Sequence, residues 1–192
     1  MQQAGVAVVG ALGGIDILIA NAGVHSESWP EHFESAEYRR IMEVNYLGLL
    51  HCMQAALPDM QTRKSRVIVS VASLAGYRGL PRAAAYGASK AAMIHFLESA
   101  RFHLRRCGIR VVIVNPGFVR TPMTSGIDFQ MPFLMTPERA AQEICNGLMR
   151  ERDVIKFPRL FAAFLGLARI LPYTVYDFIV EYFWNRMQAR KK

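Results

Sequence analysis

Short apolar runs alternate along the chain with longer segments that carry apolar residues at helical spacing. The short runs are β-branched and apolar, and they predict buried strands at 15–20, 66–71, 109–114 and, less clearly, 153–157. The longer segments predict helices at about 36–60, 82–106 and 137–150. Strands that alternate with helices indicate an α/β fold with a parallel sheet.

Small or polar residues follow the predicted strands. An Asn-Ala-Gly tripeptide at 21–23 follows the first strand, and an Asn-Pro-Gly tripeptide at 115–117 follows the third. Ser73 lies just beyond the second strand, at the carboxyl end where ligands bind in open α/β sheets. Asn45 lies inside a helical pattern. Taken singly, each of these has an ordinary explanation as a loop hydroxyl, a turn or a helix-surface amide.

The stretch AYGASKAA, residues 85–92, places Tyr86 and Lys90 four residues apart and therefore on one face of a helix. A free phenol has a pKa of about 10, and a nearby cation lowers it toward the range in which the phenol exchanges protons readily. The residues between the pair are small, which leaves room for a ligand against the helix. An isolated pair of this kind also arises often by accident on amphipathic helices.

In order and spacing, these features together resemble the short-chain dehydrogenase/reductase family, from about Ile15 to about Pro158. The tyrosine follows Ser73 by thirteen residues, and the Asn-Pro-Gly tripeptide continues as Asn-Pro-Gly-x-Val-x-Thr. The resemblance implies an oxidoreductase that interconverts an alcohol and a ketone or aldehyde with NAD or NADP. It makes Tyr86 the proton donor or acceptor, with Lys90 lowering its pKa.

The resemblance also implies roles for the remaining site residues. Ser73 would hydrogen-bond the substrate oxygen, and Asn45 would maintain a proton relay. Residues 21–23 would support the sheet beside the adenine-ribose side of the cofactor, Lys90 would hold the nicotinamide ribose, and 116–121 would face the nicotinamide. The implied cofactor contacts are Asn21, Ala22, Gly23, Tyr86, Lys90, Pro116, Gly117, Val119 and Thr121.

The chain departs from the family at its start. The family opens with a strand, a Gly-rich turn and a helix whose N-terminus holds the cofactor diphosphate. Here the glycines of VAVVGALGG, residues 6–14, lead into the strand at 15–20, and residues 2–12 fit the end of a helix. We therefore expect the C-terminal part of a Rossmann-like doubly wound parallel sheet, without its first strands, from a fragment or a misassigned start. The choice between NAD and NADP would lie in that part.

The C-terminal region differs in composition from the rest. We divide the chain into a partial Rossmann domain at 1–158 and an apolar, helical extension at 159–192 that ends in Arg190, Lys191 and Lys192. Its uncharged runs are too short to span a bilayer, and Pro172 interrupts any single long helix. The favoured interpretation is a pair of helices over the substrate pocket or a subunit interface. The alternative is an amphipathic anchor lying in a membrane surface.

The segment 118–138 has the position of the family's substrate loop. Its apolar side chains suggest an adaptable pocket and a hydrophobic alcohol or ketone as substrate. These side chains are Phe118, Met123, Ile127, Phe129, Met131, Phe133 and Met135.

Charge and cysteine usage narrow the function classes. The net charge is +8, but there is no aromatic-interleaved basic stripe of the kind that binds nucleic acid. The excess positive charge would bind cofactor phosphates or anionic lipid headgroups. The three cysteines suit reduced core thiols in a cytoplasmic protein, without a disulfide, and neither they nor the histidines have the spacing of a metal site.

The helical segments at 36–60 and 82–106 carry more apolar residues than one sheet face requires, and the resembled family associates through them. We therefore expect a homodimer or homotetramer. The residues in question are Leu47, Leu50, Met53, Met93, Phe96 and Leu97. Two functions remain open: a nicotinamide-dependent oxidoreductase, and a catalytically silent homologue that acts through a dimer or membrane surface.

Overall fold

The computed structural model describes residues 2–63, 66–129 and 131–189. Their centre is a four-stranded parallel sheet in the order β1-β2-β3-β4. The strands are β1 (Ile17–Ala20), β2 (Arg66–Val71), β3 (Ile109–Pro116) and β4 (Val154–Phe157). All four predicted strands are therefore confirmed, and so is the parallel α/β class.

Seven helices accompany the sheet in the described ranges. They are α1 (Gln2–Leu12), α2 (Ser35–Met42), α3 (Gly48–Thr62), α4 (Ala84–Arg106), α5 (Pro137–Met149), α6 (Arg159–Ala168) and α7 (Tyr173–Ala189). A π-helical segment, Glu43–Leu47, joins α2 to α3, so the predicted helix at 36–60 is one continuous rod with a widened turn. Short 3₁₀ turns lie at Pro30–His32, Leu74–Gly76 and Pro122–Thr124.

Local sequence explains where the helices beside the site begin and end. Thr136 caps α5, because its hydroxyl accepts a hydrogen bond from the Arg139 backbone N–H at 3.3 Å, and Pro137 occupies the first helical position. Gly108 follows the end of α4 with a φ of 74°, which favours glycine, and the chain turns there into β3.

The central strands are buried on both faces, which explains why they appear in the sequence as continuous apolar runs. Side chains alternate across a strand, so Ile68 packs with α3 and α4 while its neighbour Val69 packs toward α5. Each such side chain contributes about 1.5–3 kcal/mol through its burial. This core fixes the carboxyl ends of β2 and β3, near which Ser73 and Asn115 lie.

At one edge of the sheet, β1 pairs with β2 and with no other described strand. The glycines at 6–14 do not form a turn into a helix: Gly10 lies inside α1, and Gly13 and Gly14 end that helix with positive φ. This arrangement agrees with the helix expected at 2–12. The amino end of a helix is therefore not present beside these glycines.

Two expectations about side chains are wrong. Cys107 and Cys145 are exposed rather than buried, although all three cysteines are free thiols. Met53, Met93 and Leu97 are buried in this chain's own core, so they do not support a subunit contact. Both errors arise because helical periodicity indicates that a face is apolar without indicating what covers it.

The C-terminal helices are separated at Pro172, as expected. Helix α6 packs Ala162 and Leu165 against Leu74, in the turn that follows β2. The Arg78 guanidinium donates hydrogen bonds to the carbonyls of Ala168, Arg169 and Leu171, at 2.8–3.2 Å, and so closes the end of α6. The predicted basic tail, Arg190–Lys192, lies outside the described residues.

Candidate active site

Ser73 and Tyr86 are brought together by the turn that follows β2. Ser73 caps the 3₁₀ turn Leu74–Gly76, and its Oγ accepts a hydrogen bond from the Ala75 N–H at 3.1 Å. Tyr86 lies in the first turn of α4, and its hydroxyl is near enough to that of Ser73 for the serine to lower the Tyr86 pKa. The two hydroxyls therefore form a pair at the carboxyl end of β2.

The small residues around Tyr86 accommodate this turn, not a ligand. A Cβ on Gly76 would lie 2.8 Å from the Ala91 N atom, and a Cβ on Gly87 would lie 3.1 Å from the Ala75 carbonyl oxygen. Because these two glycines have no side chain, the backbone of the turn can lie directly against the backbone of α4. The expectation that the residues between Tyr86 and Lys90 leave room for a ligand is wrong for Gly87.

Lys90 is buried, and its Nζ donates a hydrogen bond to the Val71 carbonyl oxygen at 2.9 Å. This Nζ lies 5.6 Å from the centroid of the Tyr86 ring. Burial lowers the pKa of Lys90 to about 8, because the charged ammonium loses hydration. The four-residue spacing therefore brings the amine beside the ring, as predicted, but directs it toward the end of β2.

The electrostatic effect predicted for this pair is wrong. The pKa of Tyr86 is raised above its ordinary value, because burial disfavours the phenolate, and the hydrogen bond with Ser73 acts in the opposite direction. Loss of hydration therefore outweighs stabilisation of the anion. The phenol is protonated at neutral pH.

Asn45 is held by the π-helical segment and is almost fully buried. Its Oδ1 accepts from the Val24 N–H at 2.7 Å, and its Nδ2 donates to the Val24 carbonyl at 3.0 Å. The same Nδ2 donates to the Ser89 Oγ at 2.9 Å, and Ser89 donates to the Tyr86 carbonyl at 2.7 Å. Asn45 therefore connects the loop after β1 with the helix that carries Tyr86 and Lys90.

Gly23 lies between these two side chains. A Cβ at this position would be 3.3 Å from Asn45 Oδ1 and 3.5 Å from Lys90 Nζ, so glycine permits a closer approach than other residues. Asn21 and Ala22 are exposed and line a cavity of about 110 Å³ beside Val44. The structure thus places all of 21–23 next to Asn45 or Lys90.

The end of β3 and the residues that follow it are arranged differently. Asn115 is buried, its Nδ2 donates to the Tyr77 hydroxyl at 3.3 Å, and its Oδ1 has no described partner. Pro116 ends β3, and the Gly117 N–H donates to the Phe157 carbonyl at 2.8 Å. A Cβ on Gly117 would lie 3.0 Å from the ring of Phe161, so this glycine serves packing against α6.

Val119 and Thr121 are not joined to Tyr86 or Lys90 by any described contact. Val119 bridges to Met135, and Thr121 caps the turn Pro122–Thr124 in a reciprocal capping box. The structure therefore gives both residues a local role in shaping the loop after β3. Their proposed contact with a nicotinamide remains a prediction.

An aromatic cluster occupies the segment predicted to bind substrate. Phe118 contacts Phe129 edge-on, with ring centroids 5.9 Å apart, and stacks on Phe161 of α6 at 6.0 Å. Phe133 also contacts Phe161, at 6.0 Å. The C-terminal region thus supplies the Phe161 ring to this cluster, and the sequence did not indicate which of its aromatic residues would do so.

Two further residues near the site have no motif to reveal them. His25 contacts the Tyr86 ring edge-on at 4.9 Å between centroids, and burial lowers its pKa despite the opposing charge of Glu27. Arg82 forms ion pairs with both Glu27 and Asp128, which joins the loop after β1 to the loop after β3. These contacts span 46 and 55 residues, and no local pattern encodes them.

The described residues fit the ribose of a nicotinamide dinucleotide better than its diphosphate. Lys90 Nζ, which lies beside Gly23, suits the hydroxyls of a ribose. The diphosphate needs backbone N–H donors at a helix N-terminus. In the described residues the glycines at 10, 13 and 14 lie within or after α1 and do not supply such donors.

Comparison with known proteins gives a consistent result. The sequence model for short chain dehydrogenases matches residues 1–131. An "uncharacterized oxidoreductase" of Myxococcus xanthus is 39% identical over 165 residues, which are 86% of this chain and 65% of that protein. The cis-4-hydroxycyclohexanecarboxylate dehydrogenase of Sinomonas cyclohexanicum is 33% identical over 143 residues, 74% of this chain and 56% of that protein. The chain therefore spans less than two thirds of either relative.

A solved structure shows the same fold. The short chain dehydrogenase of Burkholderia cenocepacia, solved in complex with NADP, superposes with a TM-score of 0.81 at 24% identity. The alignment covers 94% of this chain and 74% of that one.

Proposed function

Since the chain belongs to the short chain dehydrogenase family, we propose that it carries the proton-transfer site of an oxidoreductase that interconverts an alcohol and a ketone or aldehyde with NAD or NADP. The observation that carries this proposal is the approach of the Ser73 and Tyr86 hydroxyls at the carboxyl end of β2, with Lys90 beside them. Support for the cofactor comes from the related structure that holds NADP and from the fit of Lys90 and Gly23 to a ribose.

In this proposal the two hydroxyls act on one substrate oxygen. Ser73 Oγ holds the oxygen, and Tyr86 Oη gives it a proton as negative charge develops there, or removes that proton in the reverse direction. The bound nicotinamide would supply or accept the hydride. Because the raised pKa keeps Tyr86 protonated at neutral pH, the phenol is already in the form that donates.

Lys90 and Asn45 support this chemistry in two different ways. With a pKa of about 8, Lys90 is mainly protonated at neutral pH and can donate to ribose hydroxyls while it remains bonded to Val71. Asn45 holds the Val24 backbone and, through Ser89, the first turn of α4. In this arrangement Asn45 fixes the distance between the loop after β1 and Tyr86.

The test removes one hydroxyl. Tyr86→Phe keeps the ring and should lower turnover of hydrophobic ketones by about 10²–10⁴-fold, with cofactor binding nearly unchanged. The reaction is followed by the absorbance of NADH or NADPH. Tyr46→Phe is the matched control, because Tyr46 packs on Phe96 in the core and should leave turnover unchanged. Full turnover in Tyr86→Phe removes Tyr86 from the mechanism.

The second candidate function, a catalytically silent homologue, is favoured by one observation. The described residues include no backbone cradle for a diphosphate, so we expect the 192-residue chain to bind nicotinamide cofactors weakly. Calorimetric titration with NADH and NADPH separates the candidates. Micromolar binding favours the enzyme, whereas a folded chain that binds neither cofactor favours the silent homologue.

We further propose a hydrophobic substrate and a homo-oligomer. The aromatic cluster around Phe118 and Phe161 supports the substrate class. Leu47, Leu50 and Phe96, which are only partly buried, are the remaining support for a contact through α3 and α4. Light scattering that gives the monomer mass across the micromolar range would contradict the homo-oligomer.

A further inference from the structure

Helix α6 has two apolar faces, and only one of them is buried in the fold. Ala162, Leu165 and Ala168 are buried against the body of the protein. Leu160, Phe164 and Leu167 follow one another at helical spacing on the opposite side and are 74%, 45% and 56% exposed. We call these three residues the α6 outer face. Large apolar side chains exposed in a row indicate a binding surface.

The exposed apolar surface continues beyond the helix. Ile170, in the turn after α6, is 77% exposed. Phe164 contacts Phe183 of α7 edge-on, with ring centroids 6.4 Å apart, and Phe183 is itself half exposed. No described helix is long and apolar enough to cross a bilayer, so this surface can at most lie along one.

A cavity of about 260 Å³ lies at the start of α6 and is lined by three cationic side chains, Arg152, Lys156 and Arg159. Val154 and Ala163 complete the lining, which includes no acidic residue. Two acidic residues flank Arg152 in the sequence: Asp153 is paired with Arg105 of α4 at 3.1 Å, and Glu151 is exposed. We call this feature the basic cavity.

The basic cavity and the α6 outer face adjoin. Ala163 lines the cavity and lies on α6 one turn after Arg159, next to Phe164 and four residues before Leu167. From Val154 to Tyr176 the sequence has no Asp or Glu. The first acidic residues beyond it, Asp177 and Glu181, belong to α7. A cationic site and an apolar face therefore lie side by side on one surface.

We propose that the basic cavity and the α6 outer face together bind the surface of a bilayer that contains anionic phospholipids. The three cations would contact headgroup phosphates, and the apolar side chains would enter the boundary between headgroups and acyl chains, with α6 parallel to the membrane plane. A second copy of this chain fits less well, because a two-fold contact across the cavity would oppose three cations with three cations. Nucleic acid would leave the apolar face in water.

The test is flotation of the 192-residue chain with vesicles, and it needs neither cofactor nor turnover, so it is independent of the proposed function. The chain should float with vesicles of phosphatidylcholine and phosphatidylserine, and much less with phosphatidylcholine alone. Arg152→Gln, Lys156→Gln and Arg159→Gln combined should weaken binding roughly a hundredfold, at about fivefold per cation. The charge control combines Arg106→Gln and Arg139→Gln, at exposed positions elsewhere, and should bind with at most a modest loss.

The apolar part of the surface is tested separately. Phe164→Ser with Leu167→Ser should weaken binding by roughly tenfold or more, because two large side chains no longer enter the lipid. Met149→Ser on α5, at a residue that is 85% exposed, is the matched control and should bind as the unchanged chain does. These positions are exposed, and circular dichroism checks that each variant is folded.

Four results would overturn the proposal. The first is that the folded chain does not float with anionic vesicles. The second is that the cation and apolar variants bind as tightly as the controls. The third is that light scattering detects a dimer that Phe164→Ser with Leu167→Ser dissociates, which would make the surface a contact between copies. Binding of inorganic phosphate without flotation also counts against a membrane, because the cavity would then be a site for the free anion.

Discussion

The two edges of the sheet are both four-residue parallel strands, yet their side chains are covered very differently. In β4, Ile155 and Phe157 are 3% and 2% exposed, and the outward side chains are Val154 and Lys156. In β1, Ile17 and Ile19 are 52% and 59% exposed, although they are as apolar as any residue in the core.

This difference shows that the apolar character of an edge strand does not by itself indicate its contribution to stability. Helix α5 packs over β4 so closely that a Cβ on Gly147 would lie 2.5 Å from Ile155. A lysine in β4 and a proline directly after it also discourage pairing with another strand. β1 has no Lys or Pro, and its two isoleucines face solvent. We therefore expect β4 to carry stability and β1 to carry a tendency to aggregate.

The largest expected effect on stability comes from truncating one large apolar side chain at each edge of the sheet. Phe157→Ala should lower the free energy of unfolding by about 3–5 kcal/mol, because it leaves a cavity under α5 and α6. Ile19→Ala should cost less than about 1 kcal/mol, since most of the side chain is already hydrated. Urea denaturation measures both. Equal losses would mean that β1 is covered in solution.

A smaller effect is expected from filling the close approach at β4. Gly147→Ala places a methyl group against Ile155, and the overpacking of about 1–3 kcal/mol is offset in part by the better helix propensity of alanine, about 1 kcal/mol. We expect a net loss of about 1 kcal/mol in thermal or urea unfolding. Adding Ile155→Val to Gly147→Ala removes the nearest of the three contacted Ile155 carbons, Cδ1, and should recover part of that loss. If Gly147→Ala instead stabilises the protein, the helix is not held at this distance.

The smallest change in stability is expected at β1, where the effect should appear in solubility. Ile17→Lys with Ile19→Lys should leave the free energy of unfolding nearly unchanged and raise the concentration at which the chain stays in solution. Lys156→Ile is the reciprocal change at β4 and should lower that concentration. Turbidity and light scattering measure both. A strong destabilisation by the lysines would show that another element packs on this face.

Much of the fold follows from the sequence because each strand and helix has a local pattern. The strands at 66–71 and 109–114 were predictable from apolar runs, since burial on both faces requires such runs. The approach of Ser73 to Tyr86 was predictable only in outline, through the spacing of a family motif. Positions of short motifs carry over between related chains, whereas the orientation of a side chain depends on its surroundings.

The errors have a common physical cause. The predicted lowering of the Tyr86 pKa by Lys90 considered only the charge of the nearby amine, but burial dominates both groups. Contacts such as His25 with Tyr86 and Arg82 with Asp128 join loops that are far apart in the sequence. Local spacing carries no information about hydration or about partners far away in the chain.

The π-helical segment determines which side chains of the continuous helix from α2 to α3 face the core. The Gly48 N–H bonds to the Glu43 carbonyl five residues earlier, so this turn holds more residues than an α-helical turn. Ile41 before it and Met53 after it are both buried, and Asn45 within it points to Val24. Deleting one residue here would restore α-helical bonding but rotate everything on one side by about 100°. Either Ile41 or Met53 would then turn away from the core, so this irregular turn should tolerate substitution far better than a change in its length.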